Sequence, residues 1–538
     1  MKNIRYIALT LMMGLSSLAA NAQDYYRMGE QVSLFNEVCR KLYTMYVDTL
    51  NPEEMISNAA NGMMEMMDPY TEFYSAKDKA KFNQMLTGKY AGIGALIKLC
   101  QDKNHVVIHY PLFEGSPAGQ AGFEMGDIIL AIDDTTMVGK STSYVSSHLR
   151  GEAGTTAKIK IQKRSTGKVV TKTVTRQTIK APEIACSFIY NHEGKKIGVI
   201  RLTEFTQGCY DNFREAFLNL QRKGMEKLVV DLRGNTGGSV SECVDIVNMF
   251  IQRNELVVQT RGKNPQADRQ YKATKDPLDL KLPLMVLVDE ESASASEIMA
   301  GCLQDLDRAK IAGVKTYGKG IVQQTVPLSN DAEMKVTVSK YYLPSGRCIQ
   351  ARNYKRGKEE NVADSLKHTF YTRSGKEVTD GSGIIPDIEI KADTMPRILY
   401  YLNSADSTEL LHNYVCDYLN SHKQIAETAE FSLSDTDYAE FKKRVIAADF
   451  KYDPFTEKYL KNLKEVAALE GYYEDNKAEF EALEKKLKHN LDHDLDFNKQ
   501  QIRSLIEYYI LIGSHGYTEG VANNFKYDNV FLKAIKEF

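Results

Sequence analysis

The sequence predicts an α/β protein whose main domain is a largely parallel sheet covered by helices. From residue 196 onward, short apolar β-type runs alternate with helical segments, and this alternation is typical of parallel sheets. The chain has 538 residues, too many for one hydrophobic core, so about two to four domains are expected. A glycine-punctuated β-rich stretch precedes the alternating part, and a charged helical stretch follows it.

The segment from Asp24 to Lys81 predicts helices, because its apolar residues recur at three- and four-residue spacing. Asn51-Pro52-Glu53-Glu54 is typical of a helix start, with proline at the first position and acidic residues in the first turn. Asp68-Pro69-Tyr70 is expected to end the helix that begins at Asn51-Pro52.

The segment from Lys89 to Gln177 predicts a compact module of about ninety residues. Glycine turns separate its short β-rich pieces, and one short helix lies among them. The predicted strands are Ala95–Leu99, Val106–Tyr110, Asp127–Ile132, Lys158–Lys163 and Val169–Arg176, and the helix is Ser143–Leu149.

The alternating part predicts the sheet of the main domain. Its expected strands are Ile197–Leu202, Lys227–Leu232, Leu284–Val288 and Ala309–Val314, and its expected helices are Tyr210–Lys223, Ser239–Ile251 and one that begins in the serine run at Ser292. Lys335–Tyr341 and Gly383–Ile390 predict further strands. After Asp393 the pattern is helical and charged, with Ala478–Leu491 the clearest amphipathic segment.

The N-terminus has the pattern of a secretory signal peptide. Lys2 and Arg5 are followed by the apolar run Ile7–Leu18 and by Ala20-Asn21-Ala22, a small-x-small cleavage pattern. We expect cleavage after Ala22 and an exported protein, periplasmic or extracellular. No later segment has the length of a membrane helix, so the mature protein is not expected to be integral to a membrane.

Charge and composition exclude several classes of partner. Lys and Arg total 69 against 71 Asp and Glu, a net charge of −2, which gives no general attraction to nucleic acid. The eight cysteines are scattered without a C-x-x-C pair, so neither a zinc site nor a redox motif is indicated. His489 and His493 are four residues apart, but their charged context favours a solvated helix face over a metal pair. We expect no metal and no organic cofactor.

The run Ser292–Gly301 reads SASASEIMAG and has two interpretations. Ser294 and Glu297 fit a capping box, and on these residues alone a simple helix start is favoured. The other interpretation is that one serine is a nucleophile. No G-x-S-x-G elbow occurs, and none of the ten histidines stands in a recognisable motif, so a Ser-His-Asp hydrolase is not indicated.

Lys319 lies between two glycines after a predicted strand, in Thr316-Tyr317-Gly318-Lys319-Gly320. In isolation a surface turn is the simpler interpretation. A lysine can also be the general base for a serine if its amine is neutral. That role needs a pKa of roughly 7–8 instead of the usual value of about 10.4, which burial can achieve. Gln323, four residues on, could then position the amine.

A glycine-rich stretch, Asp231-Leu232-Arg233-Gly234-Asn235-Thr236-Gly237-Gly238, falls at a strand-to-helix junction. Its exposed backbone N–H groups would suit an oxyanion, although an ordinary turn is about equally compatible with the motif. Phosphate binding is less favoured, because neither common glycine-rich phosphate motif is present.

Taken together and in order, DLRGNTGG, SASASEI and TYGKGIVQ resemble the carboxyl-terminal processing peptidases, also called tail-specific proteases. The resemblance covers about Asp68 to Ile390, and the β-rich module resembles a PDZ domain inserted in the peptidase. It implies a ββα-spiral core of the crotonase/ClpP type. The domains would be a signal peptide (1–22), an N-terminal helical region (23–85), the PDZ domain (86–180), the peptidase domain (181–393) and a C-terminal helical domain (394–538).

The resemblance also implies roles for residues. Ser294 would be the nucleophile, Lys319 the general base and Gln323 the residue that supports the lysine. The oxyanion would bind the backbone N–H of Ala295 and that of Gly237 or Gly238. Substrate tails would bind through the carboxylate loop, which contains Gly92, Ile93 and Gly94, by addition of a strand to the sheet edge. Arg150 is a candidate charge partner, although an exposed helix-end arginine fits equally well.

The implied activity is an exported serine endopeptidase that binds the free C-termini of unfolded or flexible proteins. Two alternatives stay open: a non-catalytic scaffold that binds protein C-termini, and an acyl-thioester enzyme on a similar spiral fold. The C-terminal helical region could form a homo-oligomer or dock an adaptor, since its amphipathic segments favour packing of some kind.

Overall fold

The structure is a computed structural model that describes residues 26–78, 89–100, 104–111, 115–180, 182–265, 268–403, 409–422, 424–428 and 430–538. The predicted signal peptide lies outside these residues. The chain divides into two units. The smaller takes in the described residues of Met1–Lys79 with Gln323–Thr337 and Tyr354–Lys358, and the larger takes in most of the rest. Within the described residues, no helix has both the length and the apolar character needed to cross a membrane.

The smaller unit contains a helix at residues 26–45 and a second at Pro52–Glu65. Asn51 caps the second helix by accepting from the backbone N–H of Glu53 at 2.9 Å, as its sequence predicts. The prediction of helix up to Lys81 is wrong for Glu72–Tyr74, which is a strand paired antiparallel with residues 333–335. Asp68 explains the change, since its carboxylate accepts from the N–H groups of Tyr70 and Thr71 and turns the chain.

The β-rich module is a sheet of antiparallel neighbours with two helices. In sheet order, its main strands are Ala95–Leu99, Val106–Pro111, Ile128–Ile132, Thr156–Gln162 and Val169–Thr175, with the short Thr135–Thr136 beside the third. The helices are Pro117–Gln120 and Thr142–Leu149, and Lys89–Gly92 pairs with Gln177–Lys180. The alternation of buried and exposed residues along Thr156–Gln162 directs one face into the module core.

The main domain is built on a six-stranded sheet. In sheet order, its strands are Ile184–His192, Lys195–Leu202, Lys227–Asp231, Leu284–Val288, Lys310–Gly313 and Ile388–Glu389. The first pair is antiparallel and the other pairings are parallel. The helices Cys209–Arg222, Val240–Asn248 and Ala295–Asp305 pack on one face of the sheet. The predicted fold class is confirmed.

Other elements complete the peptidase region, and one prediction for it is wrong. They are the strands Leu256–Gly262, Arg269–Lys272, Ile321–Pro327, Glu333–Tyr342, Arg352–Lys355, Lys358–Asn361, Thr369–Tyr371 and Glu377–Thr379, with a short 3-10 helix at Asp364–Leu366. Gly383–Ile390 was expected to be a strand, but only Ile388–Glu389 is one. Gly383 has a φ of +69°, and its N–H donates to the carbonyl of Ile349, so this backbone leaves the extended path of a sheet.

The C-terminal region is helical. Its α-helices are Arg397–Asn403, Leu410–Ser421, Asp435–Ala447, Phe455–Leu469, Lys477–Leu487, Leu491–Phe497, Lys499–His515, Tyr517–Asn524 and Asn529–Ala534, and short 3-10 helices lie at Glu474–Asn476 and Ile535–Glu537. Val521, Phe525 and Phe531 cover the second face of the six-stranded sheet. Both faces of that sheet are therefore buried, as its nearly continuous apolar strands require.

The C-terminal helices also pack against the β-rich module. Tyr110 and Met125 of the module join the apolar core of those helices. Arg164 of the module lies 3.3 Å from Asp417, and the Sγ of Cys416 lies 3.6 Å from the carbonyl oxygen of Met125. The module is thus docked on the helical region by both apolar and charged contacts.

Two histidines lie at this junction, the partly buried His109 on the module and the buried His412 on a C-terminal helix. Their ring centroids are 5.7 Å apart, and among the described residues neither Nδ1 has a hydrogen-bond partner. Burial lowers the pKa of His109 to about 4, helped by the nearby charge of Lys98. Burial also lowers the pKa of His412 to about 3, helped by His109, Lys98 and Arg164. Both rings are neutral in the folded protein at neutral pH.

This pair predicts a loss of stability in acid. In the unfolded chain both histidines bind a proton near pH 6.5, whereas the folded protein binds it only near pH 4 or below. The free energy of unfolding is therefore unaffected above about pH 7 and falls as the pH drops below about 6.5. Between pH 6.5 and 5 each histidine should account for at most about 2 kcal/mol.

Urea unfolding at pH 7 and pH 5 measures this loss. The double variant His109→Phe, His412→Phe is expected to lose markedly less stability between the two pH values than the parent. His493→Phe is the control, because the His493 side chain is 70% exposed, and it should behave as the parent does. An equal loss in the parent and the double variant would contradict the assignment.

Candidate functional site

Ser294 occupies a strained position at the start of the helix Ala295–Asp305. Its backbone has φ 56° and ψ −113°, a conformation that residues with a side chain rarely adopt. Its side chain is largely buried, and Tyr341 lies close enough that a hydrogen bond with Ser294 opposes the rise that burial produces in the tyrosine's pKa. Such strain persists only where the surroundings enforce it, and it is common at functional sites.

The two neighbouring serines hold the turn in place. The Ser292 Oγ donates to the carbonyl of Leu232 at 2.9 Å, and the Ser296 Oγ donates to the carbonyl of Asn235 at 2.8 Å. Ala293 also donates its N–H to Asn235, at 3.0 Å. These bonds tie both sides of Ser294 to the glycine-rich loop, so the hydroxyls of Ser292 and Ser296 are structural.

The glycine-rich loop follows the strand Lys227–Asp231 and passes directly against Ser294. Gly237 has a φ of +108°, and a Cβ there would lie 2.8 Å from the Ser294 Cβ and 3.0 Å from the Ala295 nitrogen. Gly238 has a φ of +131°, and a Cβ there would lie 2.4 Å from the carbonyl oxygen of Phe205. Only glycine permits this conformation and this close approach.

The N–H groups of this loop differ in what they bind. Gly237 donates its N–H to the Asn235 Oδ1 at 2.9 Å, and the Asn235 amide in turn donates to the carbonyl of Leu202. In the described part of the chain, the Gly238 N–H has no protein acceptor. Of the two glycines predicted as alternatives, Gly238 is therefore the better placed to donate to a bound anion.

Glu297 joins the serine turn to the lysine loop. Its Oε2 accepts from the backbone N–H of Ser294 at 3.0 Å and from that of Lys319 at 2.8 Å. Its Oε1 accepts from the Thr316 hydroxyl at 2.6 Å and from the Gly318 N–H at 2.7 Å. The expected reach of Glu297 back to the helix cap is present, but the same carboxylate also holds the main chain of Lys319.

The electrostatics of Glu297 follow from these contacts. The side chain is fully buried, and burial raises its pKa, while the hydrogen bonds from Thr316, Lys319, Gly318 and Ser294 oppose that rise. Each of these four partners is a donor, so a proton on the carboxylate would displace one of them. The ionised form fits this environment.

The lysine loop is packed as tightly as the serine turn. Gly318 has a φ of +85°, and a Cβ there would lie 2.3 Å from the Ala351 Cβ. The Tyr317 N–H donates to the carbonyl of Ser292 at 3.1 Å. Lys319 is half-buried, and its main chain is fixed on both sides.

Gln323 belongs to the smaller unit. Its Nε2 donates to the Thr337 Oγ1 at 3.2 Å, and the Thr337 N–H donates to the Thr71 Oγ1, also at 3.2 Å. Gln323 is thus linked to the segment that follows Asp68, a connection of 266 residues between Thr71 and Thr337 that sequence reasoning did not predict.

The predicted tail-binding residues form a separate group in the β-rich module. Ile93 is buried, and its carbonyl accepts from the Ala118 N–H at 2.8 Å. Gly94 has a φ of +67°, and a Cβ there would lie 2.8 Å from the Ser116 Cβ. The Arg150 guanidinium stacks over the Tyr90 ring at 5.1 Å, close to the loop that contains Gly92.

Arg176 is a residue of this group that sequence reasoning missed. The Arg176 Nε donates to the carbonyl of Leu149 at 3.1 Å and a terminal nitrogen donates to that of His148 at 2.8 Å. The buried guanidinium therefore caps the C-terminal end of the helix Thr142–Leu149, where carbonyls lack partners in the helix. No sequence signal marks it, because the cap comes from a residue between two strands far along the chain.

Models of known protein families match three parts of the chain. The model of peptidase family S41 matches residues 196–363, a PDZ domain model matches 114–163, and the model "Probable PDZ-protease, C-terminal helical domain" matches 398–538. The Carboxy-terminal-processing protease of Bartonella bacilliformis is 31% identical over 347 residues, which cover 64% of this chain and 77% of the relative.

Two further proteins are similar. Carboxy-terminal processing protease CtpB of Bacillus subtilis is 30% identical over 331 residues, which are 61% of this chain and 66% of the relative. The solved structure titled photosystem II D1 C-terminal processing protease is 28% identical, with a TM-score of 0.37, and the match covers 65% of this chain and 86% of that one.

Proposed function

Because this chain belongs to peptidase family S41, among the carboxy-terminal-processing serine proteases that carry a PDZ domain, we propose that it is an exported endopeptidase with a Ser-Lys mechanism. Its substrates are unfolded or flexible proteins with free C-termini. The observation that carries the proposal is that Glu297 binds the main chains of both Ser294 and Lys319, beside a glycine loop with an available N–H.

In the proposed reaction, the Ser294 Oγ attacks the scissile carbonyl while the neutral Lys319 amine accepts the hydroxyl proton. The negative oxygen of the tetrahedral intermediate accepts hydrogen bonds from the N–H groups of Gly238 and Ala295, at the positive end of the Ala295–Asp305 helix. Lys319 returns the proton to the leaving amine, and water then releases the acyl group. Gln323 positions the lysine.

The PDZ domain recognises the tail by strand addition. Ala95–Leu99 is an edge strand of the module's sheet and can pair with an extended peptide. The terminal carboxylate binds the loop that contains Gly92, Ile93 and Gly94, and Arg150 supplies a positive charge at its rim. Residues 1–22 direct the protein out of the cytoplasm and are removed.

Cleavage of one unfolded substrate in two forms tests this function. The mature protein starting at Gln23 should degrade the form with a free, apolar C-terminus and should cleave the form with an amidated C-terminus at least about tenfold more slowly. Lys319→Ala is the control that removes the proposed general base, and it should bind the tail without cleaving the substrate. Tail binding without cleavage by the parent would instead favour a scaffold, and equal cleavage of the two substrate forms would contradict tail recognition.

A further inference from the structure

A buried charged network lies behind the glycine-rich loop. The Nε of Arg233 donates to the Oδ1 of Asp231 at 2.8 Å, and a terminal nitrogen of the guanidinium donates to the Oδ2 of Asp231 at 2.8 Å. The same terminal nitrogen donates to the Oδ2 of Asp528 at 2.5 Å. Asp231 is fully buried, and only 14% of the Arg233 side chain is exposed.

The network is ionised as a unit. Burial opposes the charge on each group, but Arg233 holds the pKa of Asp231 below its usual value. Asp231 and Asp528 together hold the pKa of Arg233 above its usual value in the same way. Arg201 adds a further positive charge, 3.8 Å from Asp231.

Asp528 is firmly held in the C-terminal region. Its Oδ1 accepts from the N–H groups of Val530 and Phe531, both at 3.0 Å, and so caps the helix Asn529–Ala534. Val530, Phe531 and Ala534 of that helix are buried against the second face of the six-stranded sheet. The carboxylate is therefore presented to Arg233 from a fixed support.

The bond between Arg233 and Asp528 is additional to the contacts that pair the guanidinium and cap the helix. Asp231 already pairs Arg233 with two hydrogen bonds, and the helix cap uses only the Oδ1 of Asp528. The remaining contact connects the C-terminal region to the loop 295 residues earlier. It therefore constrains the position of Arg233 within that loop.

The main chain on either side of Arg233 is hydrogen-bonded to the residues that directly precede Ser294. The carbonyl of Leu232 accepts from the Ser292 hydroxyl, and the carbonyl of Asn235 accepts from the N–H of Ala293. Gly234 donates its N–H to Asp289, in the turn before the serine run, at 3.0 Å. A shift of Arg233 would thus move Gly238 relative to Ser294, and small misplacements of this kind are costly for catalysis.

We propose that Asp528 is a positioning residue for the peptidase reaction, through which the C-terminal helical region sets the oxyanion loop by way of Arg233. This inference rests on the proposed function. Asp528 contacts no reacting atom in it, and its effect passes through the guanidinium. The C-terminal region is then a part of the active enzyme, beyond its role in covering the sheet.

Asp528→Asn tests the inference, because asparagine can still cap the helix but carries no charge for Arg233. We expect a native circular dichroism spectrum, a kcat lowered by about tenfold or more, as for a lost charged hydrogen bond, and an unchanged KM for tail substrates. Labelling of Ser294 by a fluorophosphonate should slow in parallel. Asp528→Glu keeps the charge and should recover most of the lost kcat.

Asp435→Asn is the matched control, since it removes ion pairs with Lys499 and Arg503 within the same region. Its kcat should stay within about twofold of the parent, as surface ion pairs contribute little. The inference would be overturned if Asp528→Asn had the same kcat as an active parent. It would also be overturned if Asp435→Asn lost as much kcat as Asp528→Asn. A parent that cleaves no substrate would overturn the proposed function and this inference with it.

Discussion

Ser294→Ala is expected to lower the rate of peptide hydrolysis by at least about 10⁴-fold, because it removes the hydroxyl of the proposed nucleophile. The residual rate would come from the oxyanion site and from substrate binding. Alanine keeps the Cβ, so the strained backbone and the contact with Gly237 are retained. The measurement is kcat on the free-tail substrate, with a circular dichroism melt to show that the variant is folded.

Ser292→Ala and Ser296→Ala are the matched controls for this prediction. Ser296→Ala removes one buried hydrogen bond to the glycine-rich loop, to the carbonyl of Asn235. Ser292→Ala removes the bond to the carbonyl of Leu232 and also the bonds between the Ser292 hydroxyl and Asp289. Ser296→Ala should lower the free energy of unfolding by about 1 kcal/mol and Ser292→Ala by about 1–3 kcal/mol, and both should leave most of the catalytic rate. An inactive Ser292→Ala beside an active Ser294→Ala would contradict the assignment of the nucleophile.

The strain at Ser294 offers an independent check on the same assignment. A side chain at φ 56° and ψ −113° costs on the order of 1–3 kcal/mol, and glycine would avoid most of this strain. Ser294→Gly should therefore be inactive yet at least as stable as Ser294→Ala. A residue whose removal stabilises the fold while abolishing activity is retained for chemistry, not for packing.

Sequence patterns predicted the fold wherever the physical cause is local. Periodicity and glycine turns located four strands of the six-stranded sheet but not Ile184–His192, which was not predicted, and Asn51 marked the start of the helix Pro52–Glu65. The same reasoning predicted that this helix ends before Asp68-Pro69-Tyr70, but it was wrong at Glu72–Tyr74, where the side chain of Asp68 turns the chain and a distant strand pairs with it. Pairing partners far along the chain have no local signature.

The residues of the candidate site likewise divide into those that a local sequence motif marks and those that only the folded chain brings together. Ser294, Lys319 and the glycine loop each stand in a short recognisable motif, and the spacing of Ser294 and Glu297 showed the helix cap. The second function of Glu297, binding the N–H of a residue 22 positions later, requires the folded loop and was not predicted. Asp528 has no motif at all, because its contact with Arg233 depends on how the last helices pack on the sheet.

Glu297→Gln is expected to reduce kcat by roughly 10²–10³-fold in a protein that still folds. The amide oxygen of glutamine can accept two of the four hydrogen bonds, but its NH₂ group would face two donors. Two buried donors without acceptors should lower the free energy of unfolding by about 2–6 kcal/mol. The Glu297 carboxylate would no longer bind the main chains of both Ser294 and Lys319. A displacement of the proposed general base, Lys319, by about 1 Å is enough for a loss of this size.

Glu242→Gln separates this effect on the site from a general loss of stability. The Glu242 carboxylate also bridges two backbone N–H groups, those of Gly208 and Tyr210, both at 2.9 Å, at the start of another helix in the same domain. Its replacement should lower stability by about 1–3 kcal/mol through one unpaired donor and leave kcat within a few-fold of the parent. If the two variants lost kcat equally, Glu297 would be no more than a structural carboxylate. If only Glu297→Gln lost kcat, the carboxylate that caps the helix after Ser294 would also position Ser294 and Lys319 relative to each other. One residue would then contribute both to folding and to catalysis.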